Sequence, residues 1–227
     1  EALRALMRYE ERPNFPPRYN IAPTQPVPVV RALRHADGVA RRHFALARWG
    51  FLPGFVKDPR TFPLLFNARA ETLGEKASFR NALRRRRCLF PADAFYEWRR
   101  LAPGRGRGAR IPYLFRRRDG AALGLAGLYE TWIGPNGEEV ETACSITTPA
   151  NGAVAAVHDR MPAIVEPRDF DLWLDPDIDD PARLARLLRP AADDVLEFFE
   201  IGAAVNSAAN DSPDVQRPAD APLLDRR

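Results

Sequence analysis

Three turn dipeptides divide much of this chain into short extended segments. Asp37-Gly38, Asp119-Gly120 and Asn136-Gly137 each separate stretches with strand-like composition. Glycine adopts positive φ angles at no steric cost, so Asp-Gly and Asn-Gly favour the tight turns of β-hairpins. The first dipeptide predicts a hairpin formed by residues 26–34 and 39–50. A chain divided in this way is expected to form mainly antiparallel sheet.

The remaining segments alternate between helical and extended patterns. Helices are predicted at residues 1–8, 71–87, 165–175 and 179–189, and strands at 64–69, 88–98, 113–118 and 196–201. Asp180 is placed to cap the last helix, with Pro181 at its first position. The basic loop at 103–110 and the tail from about residue 210 are expected to be loose. We predict one α+β domain over residues 1–227, with an antiparallel sheet or barrel-like core and interspersed helices.

Composition excludes several classes of protein. With 45% hydrophobic and 28% charged residues, the 227-residue chain has the composition of an ordinary globular domain. It contains neither a membrane-spanning apolar run nor a signal peptide, so we expect no membrane association and a cytoplasmic location. Cys88, Cys144 and three histidines are too few ligands for a structural zinc site. His35 and His43 flank the first turn, but two ligands make a poor metal site. We therefore expect neither a metal nor a cofactor.

Charge is distributed unevenly along the chain. Residues 80–118 carry 13 arginines against two acids, a balance of +11, whereas residues 166–227 carry seven arginines against 15 acids, a balance of −8. Arginine offers phosphate a planar, bidentate pair of donors, so this asymmetry favours an anionic partner such as nucleic acid. The alternative is an arginine-rich composition set by the genome, with residues 84–87 as a solvated helix end. Charge alone leaves both interpretations open.

Two side chains stand out as candidate proton carriers. Glu97 lies in an aromatic stretch, AFYEW, where partial desolvation would raise the pKa of its carboxyl group. The alternative is a surface glutamate on an alternating strand. His158 lies between an apolar run and Asp159-Arg160, and histidine is suited to carry protons near neutral pH. The alternative is a structural histidine.

A third stretch, FNARAE at residues 66–71, offers an amide and a guanidinium group. Asn67 can hold a substrate oxygen, and Arg69, two residues along the same strand face, can reach a phosphate. The alternatives are a cross-strand amide contact and a surface salt bridge. None of these motifs is specific when taken alone.

In combination, the motifs resemble those of one family. They are RYNIAP (18–23), RWGFLPGF (48–55), FNARAET (66–72), CLFPADAFYEW (88–98), SITTPAN (145–151), VHDRMP (157–162) and AVNSAAND (204–211). Their order and wording resemble the SRAP proteins, which are named SOS response-associated peptidases and are understood as abasic-site processing proteins. The resemblance covers essentially the whole chain.

The resemblance implies chemistry on single-stranded DNA that contains abasic sites. Family members link covalently to the ring-opened sugar through an amino-terminal cysteine, whose amine forms a Schiff base and whose thiol closes a thiazolidine ring. By position, Glu97, His158 and Asn67 match the family's active-site residues: the glutamate would move protons, the histidine would assist ring opening, and the asparagine would orient the terminal group. The positions that match DNA-binding residues of the family are Asn20, Pro23, Phe55, Arg69, Trp98, Thr147 and Arg160. We expect a monomer that associates with the bacterial nucleoid when it is bound to DNA.

Two departures from the family pattern affect these expectations. The sequence starts at Glu1 and lacks the cysteine-glycine-arginine opening of the family, so we expect a fragment that forms no cross-link. Cys88 and Cys144 cannot replace the missing residue, because neither combines a terminal amine with a thiol. Phe55 and Val56 stand where relatives often carry bulky aromatic wedges, which leaves the extent of DNA kinking open.

Two other function classes stay open. A cysteine peptidase would use the same terminal cysteine with Glu97 and His158, limited to removal of its own leading methionine. A non-catalytic single-stranded-DNA-binding module would need the arginines but neither Glu97 nor His158. An adduct that resists denaturation, formed with abasic DNA and not with peptides, would separate these classes.

Overall fold

The computed structural model describes residues 1–101 and 110–219, which form five α-helices and eleven β-strands. The helices are α1 (Ala2–Met7), α2 (Ala77–Arg85), α3 (Gly152–Ala155), α4 (Phe170–Leu174) and α5 (Pro181–Ala185). The strands are β1 (Pro26–Arg34), β2 (Ala40–Trp49), β3 (Asn67–Arg69), β4 (Arg87–Ala92), β5 (Ala94–Arg100), β6 (Arg110–Arg117), β7 (Leu123–Ile133), β8 (Glu139–Pro149), β9 (Arg160–Pro162), β10 (Ile164–Val165) and β11 (Leu196–Glu200). The predicted α+β class is confirmed. Within these ranges, no helix is long and apolar enough to cross a membrane.

Five of the strands close into a ring. In the order β7-β4-β1-β2-β8, each strand is hydrogen-bonded to the next, and β8 pairs with β7 to complete the circle. The pairings are antiparallel except for that of β2 with β8. β3 and β9 extend the sheet beside β8, and β10 extends it beside β7. The predicted barrel-like core is confirmed.

A second, three-stranded antiparallel sheet, formed by β5, β6 and β11, packs against this barrel. Phe95 of β5 and Phe115 of β6 are paired in register, and their rings stack with centroids 5.1 Å apart. Both rings belong to an apolar core that also contains Val29 and Phe90 of the barrel. Burying a phenylalanine side chain contributes roughly 1.5–3 kcal/mol, so this core holds the small sheet to the barrel.

Strand β4 is buried on both of its faces, because a core covers each of them. In β4, Phe90 faces the core shared with the small sheet, whereas Leu89 faces a second core that also contains Phe79 of α2 and Trp173 of α4. Successive side chains of a strand point to opposite faces, so a strand between two cores keeps no polar face.

Arg87 is a charged residue within these layers and is only 2% exposed. Its guanidinium donates hydrogen bonds to the backbone carbonyl groups of Leu83, Arg84, Trp173 and Asp175. These carbonyls lie at the carboxyl ends of α2 and α4, where helices leave acceptors without partners. Burial lowers the pKa of Arg87 to about 10, but this value is still well above neutral pH, so the group remains charged. One side chain therefore joins the ends of two helices.

The three turn dipeptides have two different outcomes. Gly38 and Gly137, with φ angles of 78° and 82°, lie in the turns that join β1 to β2 and β7 to β8, which confirms two hairpins. Gly120 also has a positive φ of 72°, but its turn leads from β6 in the small sheet to β7 in the barrel, and these strands do not pair. The hairpin predicted at Asp119-Gly120 is therefore wrong. The turn is a local property, whereas strand pairing depends on distant partners.

Two predicted elements have different boundaries. The strand predicted at 88–98 divides at Asp93 into β4 and β5, which belong to different sheets. The helix predicted at 71–87 begins only at Ala77, after a 3-10 turn at Ala70–Thr72. The strand divides because the chain passes at Asp93 from the barrel into the small sheet, although the residue pattern of the segment is uniform.

The later helices are shorter than their patterns indicate. The segments 165–175 and 179–189 contain α4 and α5, of five residues each. The predicted cap is confirmed, since the Asp180 side chain accepts a hydrogen bond from the N–H of Ala182 at 2.9 Å.

The carboxyl-terminal segment is held to the domain up to residue 219. Asp211 accepts hydrogen bonds from the N–H groups of Tyr19 at 2.6 Å and Asn20 at 2.8 Å, and Val215 is 2% exposed. The loose tail predicted from about residue 210 is therefore wrong over this stretch. Residues 220–227 and the predicted loop at 103–110, apart from Arg110, lie outside the described residues.

Candidate functional site

Glu97 lies on β5, on the face of the small sheet that packs against the barrel. Phe95 and Glu97 are two positions apart, so they share a strand face, and Phe95 belongs to the shared core. The Glu97 side chain is 24% exposed. Burial raises the pKa of Glu97, while His158 and the N–H of Trp98 act in the opposite direction. Such a carboxyl group can donate as well as accept a proton closer to neutral pH.

His158 follows α3, whose start is capped by Asn151. The side-chain oxygen of Asn151 accepts from the N–H of Val154 at 3.0 Å, and the N–H of His158 donates to the carbonyl of Val154 at 2.9 Å. The N–H of Arg160 donates to Nδ1 of His158 at 3.1 Å. The carbonyl oxygen of Arg160 lies 3.1 Å from the same nitrogen, so the Arg160 backbone orients the ring, and Nδ1 accepts from the N–H in one tautomer and donates to the carbonyl in the other.

Glu97 and His158 meet at the junction of the two sheets. Oε1 of Glu97 lies 3.8 Å from Nδ1 of His158, and Oδ1 of Asp159 lies 3.4 Å from the same nitrogen. The His158 side chain is 31% exposed, so solvent reaches the ring while two carboxylates face it. The structure thus brings together two of the three predicted catalytic residues.

Asn67 lies on β3, at the edge of the barrel sheet. The parallel register of β3 with β8 places Asn67 beside Ser145 and Arg69 beside Thr147. Asn67 and Arg69 are exposed on one strand face, and Ala68 between them is buried in the core. Among the described residues, no side-chain hydrogen bond joins Asn67 to Glu97 or His158.

Arg160 connects the β3–β8 ladder to the His158 segment. Its guanidinium donates to the carbonyl of Thr147 at 2.7 Å and to Oγ1 of that threonine at 3.3 Å. It also forms a bidentate ion pair with Glu71, at 2.6 Å and 2.9 Å, and this pair holds the pKa of Glu71 below its ordinary value. We call Arg69, Thr147 and Arg160 the barrel wall of the site.

Asn20 and Pro23 lie in the loop before β1. Asn20 is 5% exposed, and its amide nitrogen donates to the carbonyl groups of Val205, Ser207 and Asn210, each at 3.0 Å. The amide is occupied within the protein and leaves no donor for DNA, so direct DNA contact by this side chain is not supported. Asn20 instead fastens the carboxyl-terminal segment, and Pro23 is half-buried.

Trp98 points to the face of β5 opposite that of Glu97, because the two residues are adjacent in a strand. Its Nε1–H donates to Oδ1 of Asn206 at 2.7 Å. Asn206 lies in a 3-10 turn, Ala203–Asn206, of the carboxyl-terminal segment. That segment therefore sets the orientation of the half-buried indole ring.

Exposed apolar side chains precede β3. Phe55 is 61% exposed and lies edge-on against Phe62, with ring centroids 6.2 Å apart. Leu64 and Phe66 are 42% and 38% exposed. Exposed aromatic faces beside polar groups are typical of surfaces that stack on nucleobases.

The cysteines and the paired histidines lie outside this site. Cys88 and Cys144 are unpaired and fully buried, and burial raises the pKa of both thiols, so neither is a ready nucleophile. Nε2 atoms of His35 and His43 lie 2.7 Å apart, and Nδ1 of His43 lies 2.6 Å from Glu11. Over residues 1–101 and 110–219, no cluster of three or more potential ligands is arranged to hold a metal ion.

Comparison with known proteins identifies the family. The sequence model described as SOS response associated peptidase (SRAP) matches residues 1–208. The chain belongs to the SRAP family. The abasic site processing protein YoqW of Bacillus subtilis (strain 168) is 39% identical to this SRAP chain over 201 residues, which are 88% of the chain and 86% of YoqW. The abasic site processing protein HMCES of Rattus norvegicus is 29% identical over 250 residues, covering 96% of the SRAP chain and 69% of HMCES.

Solved structures share the SRAP fold of this chain. A protein from Bordetella bronchiseptica superposes with a TM-score of 0.73 at 25% identity, covering 88% of this chain and 94% of the other. A protein from Bacteroides thetaiotaomicron superposes with a TM-score of 0.71 at 28% identity, covering 86% and 82%. The resemblance inferred from the motifs is confirmed, and the roles of individual residues stay predictions.

Two residues that orient the site are not among the predicted site residues. Glu71 belongs to the FNARAET motif and Asn206 to AVNSAAND, so the motifs contained both. Their partners, Arg160 and Trp98, lie 89 and 108 residues away. Only the folded arrangement reveals these contacts.

Proposed function

We propose that this SRAP protein processes abasic sites in single-stranded DNA by forming a covalent thiazolidine link. The observation that carries the proposal is the Glu97–His158 pair, in which a partly buried carboxyl with a raised pKa faces a solvent-accessible imidazole. Membership of the SRAP family supports it, as do the names of YoqW and HMCES as abasic site processing proteins.

The nucleophile in this proposal is the terminal cysteine that the family resemblance implies. Its amine adds to the aldehyde carbon of the open sugar, and the resulting carbinolamine loses water to give an imine. The thiol then adds to the imine carbon and closes a five-membered ring. Aldehyde and cysteine thus give a thiazolidine and one molecule of water.

Glu97 and His158 move the protons of this sequence. Protonated Glu97 donates to the departing hydroxyl of the carbinolamine, and the resulting carboxylate accepts the proton of the thiol. Protonated His158 gives a proton to the ring oxygen of the sugar as the closed form opens, and the C1 hydroxyl gives up its proton to water as it becomes the aldehyde carbonyl. Asn67, exposed on β3, orients the terminal amine through its amide group.

The DNA strand is held by charge and by stacking. The barrel wall contacts a phosphate through the exposed Arg69, and this contact carries no base information. Arg160, whose guanidinium is hydrogen-bonded to Glu71 and Thr147, keeps the wall in place. Trp98 and Phe55 stack on flanking bases, and Pro23 adds apolar contact.

The proposal is tested with protein extended to carry the terminal cysteine. We expect an adduct that survives denaturation on a single-stranded oligonucleotide with one abasic site, and none on the same oligonucleotide with an intact base. Peptide cleavage without an adduct would instead indicate a peptidase. DNA binding without either reaction would indicate a binding module.

A further inference from the structure

A second cation lies on the small-sheet side of the site. Arg99 is two positions after Glu97 on β5, so the two side chains leave the same strand face. The register places Glu97 opposite Tyr113, and the guanidinium carbon of Arg99 lies 5.1 Å from the centroid of that ring. The Arg99 side chain is exposed, whereas Tyr113 is 7% exposed.

Tyr113 is a fixed platform for this guanidinium. Its hydroxyl donates to Oε2 of Glu200 at 3.3 Å, and its ring lies 6.1 Å from that of Phe198. Burial raises the pKa of Tyr113, so the hydroxyl keeps its proton at neutral pH. Stacking uses the face of the guanidinium, so the N–H donors along its edge stay available.

Arg99 differs from neighbouring arginines in its partners. Arg160 is paired with Glu71, and Arg116 is paired with Glu197 at 2.6 Å. Within the described chain, the Tyr113 ring is the contact that Arg99 makes, and no carboxylate pairs with it. An arginine held on an aromatic ring with free edge donors has the geometry for bidentate contact with a phosphate.

We propose that Arg99, stacked on Tyr113, forms a phosphate subsite, so that a DNA strand crossing the Glu97–His158 pair is held from both sheets. The barrel wall holds one side, and Arg99 holds the other. Two positions along a strand span about 6.7 Å, which places this subsite close to the reacting sugar. The inference rests on the proposed function and extends it by assigning a phosphate beside the lesion to Arg99.

Arg100 provides a matched control. It is an exposed arginine on the same strand, but it points to the opposite face and is paired in register with Arg110. We expect Arg99→Gln to weaken binding of a short single-stranded oligonucleotide roughly tenfold, as for loss of a charge-assisted contact. The slope of log affinity against log salt concentration, which is negative, should become less negative by about 0.7, the change expected for loss of one phosphate contact on a single strand. Arg100→Gln should change both quantities much less.

A second series locates the phosphate. Oligonucleotides that each carry one uncharged methylphosphonate are titrated with wild-type protein and with Arg99→Gln. At one phosphate position, the uncharged methylphosphonate should weaken DNA binding by the wild-type protein but not by Arg99→Gln. Arg99→Lys, which keeps the charge without the planar donor pair, should restore the salt slope but not the affinity.

Three results separate the possible failures. Equal losses of DNA affinity in Arg99→Gln and Arg100→Gln would overturn the subsite. It would also be overturned if the effect of a methylphosphonate and the effect of Arg99→Gln were additive at every phosphate position. Unaltered thermal unfolding of Arg99→Gln verifies that the comparison concerns binding. Wild-type protein that does not bind single-stranded DNA would overturn the proposed function itself.

Discussion

Nδ1 of His158 lies 3.8 Å from Oε1 of Glu97, although the two residues belong to chain segments of different sheets. Glu97 belongs to β5 of the small sheet, and His158 lies just before β9 of the barrel sheet. Their contact exists only when the two sheets pack together, and the stacked rings of Phe95 and Phe115 belong to the core that joins them. The site is therefore a product of tertiary packing.

Glu97→Gln is expected to stabilise the protein at pH 7. The pKa of Glu97 is raised in the folded state, chiefly by burial, so the folded state binds its proton more tightly than the unfolded state does. Stability from this group is complete below the ordinary pKa of 4.5 and is lost as pH rises through the folded-state value. Glutamine does not ionise, so the free energy of unfolding of the variant should exceed that of the wild type at pH 7. The difference should vanish below pH 4.5, as measured by denaturant unfolding. The same substitution at an exposed position of β8, Glu139→Gln, is the control for the change of side chain itself.

Asn206 is expected to affect DNA binding only through Trp98. Asn206→Ala removes the acceptor of the indole N–H and should weaken binding to single-stranded DNA about fivefold, or about 1 kcal/mol. In Trp98→Phe, which has no N–H to position, the same change should have no further effect. A double-mutant cycle measures this coupling. Additive losses would show that the two residues act independently.

Arg87 is expected to contribute strongly to stability. Arg87→Met leaves four carbonyl groups at the ends of α2 and α4 without their donor. The loss should be about 3 kcal/mol, which for a domain of this size lowers Tm by roughly 6–12 °C. Arg85→Met, at an exposed position of α2, should change Tm by less than about 2 °C. Equal shifts of Tm in Arg87→Met and Arg85→Met, measured by calorimetry, would contradict the role of Arg87 in joining the two helices.

Features that depend on short stretches of sequence could be predicted. The turns at Gly38 and Gly137 and the cap at Asp180 follow from the local preferences of glycine and aspartate. The turn at Gly120 was also located correctly, but its flanking strands join different sheets. The strand at 88–98 has one continuous pattern and nevertheless changes sheet at Asp93. No local preference carries information about which sheet a strand enters.

In the candidate site, too, some features follow from local sequence and others depend on distant partners. Glu97 and His158 were proposed from residue type and motif, and the structure places them together. Asn20 was expected to contact DNA, but its amide is buried against three carbonyls of residues 205–210. Arg99 has no motif of its own that separates it from Arg100. The two arginines point to opposite faces of β5, and only the folded structure shows that the face of Arg99 carries the Tyr113 ring.

Mass spectrometry of the product formed with abasic single-stranded DNA tests the central claim most directly. Protein extended to carry the terminal cysteine should gain the mass of the oligonucleotide less one water, with the link at that cysteine. Glu97→Gln in the extended protein should slow the reaction and leave affinity for intact single-stranded DNA nearly unchanged. The chain that starts at Glu1 should form no adduct, because its two thiols are fully buried. An adduct at Cys88 or Cys144 would contradict the proposed mechanism, as would an extended protein whose reaction rate does not respond to Glu97→Gln.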